Sequence, residues 1–100
     1  MIKVNVSKDL KLITIKGHAN YAEYGQDIVC ASVSSIVTTS INACLSIDET
    51  SIKYEDQAGL VIIKVLNETE TTIKLINNMI NMLSELATQY KKNITIIKED

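Results

Sequence analysis

The chain has 100 residues, enough for one domain around a single core and too few for a second. Its basic residues are all lysine and its net charge is −2, so it carries no overall electrostatic footprint for nucleic acid. It also has no guanidinium for bidentate phosphate or guanine contact. Proline, Phe and Trp are absent and glycine is scarce, which excludes a disordered linker and leaves a core of Ile, Val and Leu.

In chain order, Ile2, Val4 and Val6 alternate with polar residues and predict a strand. Ser7-Lys8-Asp9 then turns the chain into a second strand from Leu10 to Lys16. Residues 18–26 lack both periods and read as a loop. Residues 28–47 carry a helical pattern without a single charge, yet eight of the twenty are Ser, Thr or Asn, too polar for a membrane span. The expectation is a helix enclosed on several sides by the sheet and by a neighbouring helix or a second subunit, hence a homodimer.

A second hairpin is expected from Ser51–Glu55 and Leu60–Leu66 around Asp56-Gln57-Ala58-Gly59. A clear amphipathic helix runs from Thr71 to about Lys91, with Ile73, Ile76, Met79, Ile80, Leu83, Leu86, Ala87 and Tyr90 on one stripe. Residues 94–98 close with a strand. The order ββαββαβ predicts an α+β domain over residues 1–100, one mixed sheet packed by two helices.

The chain holds one histidine, His18, twelve positions before Cys30. Cys30 falls where the loop gives way to the first helix. A helix start presents unsatisfied N–H groups and partial positive charge, a setting that favours thiolate over thiol. A histidine within reach of such a cysteine completes a nucleophile with its base.

Cys44 reads as inert core in mid-helix. On one helix the two cysteines stand about 21 Å apart, too far for a disulfide. One histidine and two distant cysteines fall short of a zinc set, so no metal or cofactor is expected. The N-terminus starts a strand pattern at once, without a basic or apolar leader. Reduced thiols and a cytoplasmic location are the expectation, with no membrane partner.

Gly17-His18-Ala19, then Gly25, Asp27-Ile28-Val29-Cys30-Ala31 and Ser34, resemble the signature of the bacterial ribosomal-processing cysteine protease family. Ser32 stands where that signature has Ala or Gly, a small-for-small change. The resemblance implies that His18 and Cys30 are the catalytic pair. It also implies that the partner is the N-terminal extension of a large-subunit ribosomal protein; the charge and the lack of arginine make that a meeting with protein and not directly with nucleic acid. It points to a homodimer too.

Around the pair, Asp27 is expected to cap the helix, the commoner use of Asp at such a position, rather than to orient His18. Ser34, four residues after Cys30, is either a core hydroxyl or a neighbour of the sulfur. Tyr21 and Tyr24, with Gly25 as hinge, either close over a peptide or anchor the loop. Two other classes fit the same residues: a non-enzymatic ribosome-assembly adaptor that tolerates Cys30→Ala, and a thiol redox sensor that never cuts peptide.

Overall fold

The computed structural model describes residues 1–17 and 26–99, the side chains of Gln26 and Asp27 excepted. Its elements are β1 (Ile2–Val6), β2 (Leu12–Lys16), α1 (Gln26–Ile47), β3 (Ile52–Gln57), β4 (Leu60–Val65), α2 (Glu70–Gln89) and β5 (Ile94–Lys98). This is the predicted ββαββαβ order. The strands form one mixed sheet, β3-β4-β2-β1-β5, in which only β1 and β5 are paired in parallel. Strand β3 runs the same way as β2, and β5 the same way as β4. Each of those returns needs a crossover, and α1 and α2 supply them.

Alternation puts Ile2, Val4, Val6, Ile13, Ile15, Ile52, Ile63, Val65 and Ile94 on one face of the sheet, all buried. Both helices cover that face, α1 with Val29, Val33, Val37, Ile41 and Cys44, and α2 with Ile76, Met79, Ile80 and Leu83. The other face is open. It carries the exposed lysines Lys3, Lys16, Lys53 and Lys64.

Several boundaries differ from the sequence reading by a residue or two, and three of them bear on the site. Strand β2 starts at Leu12 because side-chain oxygens claim the preceding backbone donors. Ser7 Oγ accepts from the Leu12 amide (2.9 Å) and Asp9 Oδ1 from the Lys11 amide (3.0 Å), while Leu10 takes a left-handed φ of 65°. The hydrogen bond from the Ser7 hydroxyl, then that amide, holds the Asp9 carboxyl below its ordinary range. In the second hairpin, Asp56 and Gln57 belong to β3 and pair with Val61 and Leu60, so the turn shrinks to Ala58-Gly59, where Gly59 has φ 81°. The third boundary is the start of α1 at Gln26, two residues early.

The expected enclosure of α1 on several sides is corrected within the single chain. One stripe is buried, but Ala31, Ser34, Ser35, Thr38, Thr39, Asn42 and Ser46 are exposed. Small uncharged residues let the helix lie close to the sheet without covering its outer side. Helix α2 behaves as its periodicity predicts. Thr69 caps it, accepting from the Thr72 amide at 3.2 Å, and its apolar stripe meets α1 and β5.

Candidate active site

Between α1 and the turn end of the β3–β4 hairpin lies a groove of about 270 Å³. Its floor is apolar, with Ile2 and Ile15 from the sheet and Val33, Val37 and Ile41 from the helix. Along the α1 wall, Cys30, Ser34 and Thr38 follow at four-residue spacing, the repeat that stacks side chains on one helical face. Tyr54, Asp56 and Gln57 of β3 form the facing wall.

Cys30 is half-buried. As the fifth residue of α1, its Cα stands about one turn past the helix start. Helical side chains lean toward the N-terminus, so this position still serves the first turn, where unpaired amides and partial charge concentrate. Cys44, fourteen residues on, is 1% exposed, and burial pushes its thiol up from the ordinary range. Neither cysteine is in a disulfide.

Ser34 is exposed in the same groove, which removes the core-hydroxyl reading. Among the described residues of α1, the Ser32 hydroxyl bonds back to the Ile28 carbonyl at 2.8 Å and the Ser40 hydroxyl to that of Ile36 at 2.7 Å.

Gly17 also lines the groove. Its amide donates to the Gly59 carbonyl (2.9 Å), tying the end of β2 to the second hairpin's turn. Its φ is 90°, and a Cβ there would collide with the Met1 carbonyl oxygen. Only glycine suits both constraints.

The structure thus brings Gly17, Cys30 and Ser34 together. His18, Tyr21, Tyr24 and Gly25 lie outside the described residues, as does the side chain of Asp27. The backbone of Asp27 is in α1, one residue inside its start, so the expected N-cap position is corrected: Asp27 belongs to the first turn itself. Among the described residues no group of three or more His, Cys, Asp or Glu side chains could hold a metal.

The β3 wall escaped the sequence reading. A signal was present: the parity set by buried Ile52 places Tyr54 and Asp56 on the helix side of the sheet. A carboxylate at such a position marks a break in the core.

The sequence model of the cysteine protease Prp family matches residues 1–95. The chain belongs to that family. The ribosomal processing cysteine protease Prp of Staphylococcus aureus (strain Mu50 / ATCC 700699) is 31% identical over 98 residues, covering 95% of this chain and 92% of that relative.

Two S. aureus crystal structures of an essential ribosomal processing protease Prp share the fold. The complex with a substrate peptide matches with a TM-score of 0.89 over 99% of this chain and 100% of that one, at 24% identity, which speaks to the fold alone. The complex with a covalently linked product peptide matches with a TM-score of 0.83 at 27% identity, again over 99% of this chain and 100% of the other. A Prp-family chain is a cysteine peptidase, and its groove is the place to seek the chemistry.

Proposed function

We propose that this chain is a cysteine endopeptidase with Cys30 as nucleophile and His18 as its base. Its substrate is the N-terminal extension of a large-subunit ribosomal protein, cut during ribosome maturation. One observation carries the assignment of the nucleophile: Cys30 is half-buried on the wall of an apolar groove at the N-terminal end of α1, whereas Cys44 is sealed in the core. His18 is the only histidine and directly follows Gly17, which lines the same groove. The names of the curated relatives support the substrate, and the covalently linked product peptide of the S. aureus protein fits a thiol-ester route.

The mechanism runs in two halves. His18 takes the thiol proton, and Sγ adds to the scissile carbonyl carbon. First-turn amides of α1 face the resulting oxyanion, held in place before the reaction begins. Collapse breaks the C–N bond, the leaving amine takes the proton from His18, and a thioester remains on Cys30. Water then gives a proton to His18 and adds to the thioester. Collapse frees the new carboxyl end, and the thiol is re-formed.

Mass spectrometry of the chain mixed with its host's ribosomal protein tests this. A shortened product, absent with Cys30→Ala and with His18→Ala, is expected. Cleavage that survives Cys30→Ala would remove the nucleophile.

The same reading places the enzyme in the cytoplasm as a homodimer. The exposed, uncharged side of α1 supports a second copy, with a neighbouring cavity of about 250 Å³ lined by Ile36, Ala43 and Met82 among others. Light scattering coupled to size exclusion gives the mass directly. A monomer at micromolar concentration would remove the dimer.

A further inference from the structure

Among the described residues that line the groove, one is charged: Asp56. The rest are apolar, hydroxyl, amide, thiol or glycine. Asp56 sits at a core-facing position of β3, on the same side of the sheet as Ile52 and the helices, while its neighbours Lys53 and Glu55 alternate to the open side. Its carboxylate therefore has no lysine beside it on the groove wall, and it enters no ion pair among the described residues. The one acid among the described lining residues, set beside an apolar floor, suits a basic side chain on a bound segment.

The strand register gives the reach. Asp56 pairs with Val61 on β4, and Val61 pairs with Ile15 on β2. Two strand spacings separate Asp56 from Ile15, about 10 Å, and Gly17 lies two residues further along, about 7 Å. The diagonal from Gly17 to Asp56 is therefore about 12 Å, which an extended peptide crosses in roughly three to four residues.

We infer that Asp56 is a specificity residue, selecting a peptide that carries a lysine or arginine roughly three to four positions from the residue seated beside Gly17. This rests on the groove being the peptidase site. The side chain stands in solvent, so the selection is an exposed ion pair that weakens with salt.

The test uses peptides of about ten apolar residues with Lys, Gln or Glu scanned one position at a time. Cleavage (kcat and KM) is measured with the wild-type chain, and binding by fluorescence anisotropy with Cys30→Ala. Lys is expected to beat Gln roughly two- to fivefold at one or two adjacent positions, through KM rather than kcat, and the advantage should shrink as salt rises. Asp56→Asn should erase that preference, bringing the Lys and Gln peptides to the same KM at those positions, and Asp56→Lys should turn it toward Glu.

A preference for Lys that survives Asp56→Asn, or no preference at any position, overturns the inference while leaving the protease intact. Charge-dependent binding to Cys30→Ala without any cleavage by the wild type would leave Asp56 as a recognition residue and sink the catalytic reading instead.

Discussion

Cys30 and Cys44 share one helix, and each lies against the same sheet, yet they live in different chemistry. At the N-terminal end of α1 the hairpin turn of β3–β4 diverges from the helix, and the gap becomes the groove that holds Cys30. At the C-terminal end the chain folds back tightly. Ser51 Oγ donates to the Cys44 carbonyl at 3.1 Å, and Asp48 Oδ1 accepts from the Thr50 amide and hydroxyl at 2.9 and 2.6 Å. Those bonds, the Thr50 hydroxyl first, hold the Asp48 carboxyl below its usual range. The difference between the two thiols comes from what caps each end of the helix, since the residues flanking them are alike: small or aliphatic in both cases.

The sharpest way to break that contrast is to delete each sulfur. Cys30→Ala should lower cleavage at least a thousandfold while the melting temperature stays put. Cys44→Ala should keep turnover and cost about 1 kcal/mol or slightly more, because a buried small side chain leaves a modest cavity. Parallel losses of activity in the two variants, measured with matched thermal melts, would mean that packing explains both.

Gly17→Ala comes next. With φ at 90° and the Met1 carbonyl oxygen in the way, it should cost about 1–3 kcal/mol and widen the mouth of the groove, lowering cleavage beyond the stability loss. Urea titration beside kinetics separates the two effects.

At the sealed end, Ser51→Ala removes one of two donors to the Cys44 carbonyl, which keeps the Asp48 amide, and should cost about 1 kcal/mol or less with unchanged turnover. A drop in activity there would show that the two ends of α1 are coupled.

Alkylation extends the comparison to pH. In native protein, iodoacetamide should modify Cys30 alone, and Cys44 should react only as denaturant opens the core. Burial raises the folded-state value for Cys44 above its value in the open chain. Its contribution to stability is therefore complete below the ordinary thiol range and fades as pH climbs past it. Wild type should lose stability above about pH 9 more steeply than Cys44→Ala. Equal alkaline slopes would contradict the burial of that thiol.

The smallest effect is expected at Asp27. One residue inside the helix start, a carboxylate favours the first turn by about 0.3–1 kcal/mol, so Asp27→Asn should cost no more than that and spare turnover. A stable Asp27→Asn with turnover down a hundredfold would assign it instead to orienting His18.

Much of this was legible in the chain. Strands β1 and β5 and the apolar stripe of α2 follow from periodicity, because each buries one face against a single layer. Helix α1 was harder: without charges its sequence does not say which side faces out, and the outer side proved to be Ser, Thr, Asn and Ala. The start of β2 was hidden by Ser7 and Asp9, whose side chains compete with the ladder for backbone donors. Cys30 and Ser34 were found by spacing and resemblance. Tyr54 and Asp56 were missed because Asp56 reads as part of the turn, and only the extension of β3 to Gln57 carries the parity of Ile52 through Tyr54 to Asp56.

The contact between Met1 and Gly17 has a practical side for anyone preparing the protein. Strand β1 begins beside the groove, and its first residue touches the glycine that precedes His18. An affinity tag fused ahead of Met1 would emerge at the mouth of the site and compete with the peptide under assay. Strand β5 runs parallel to β1, so Lys98 leaves the sheet beside Val6, four residues or about 13 Å further along. A tag carried at that end keeps its distance from the groove.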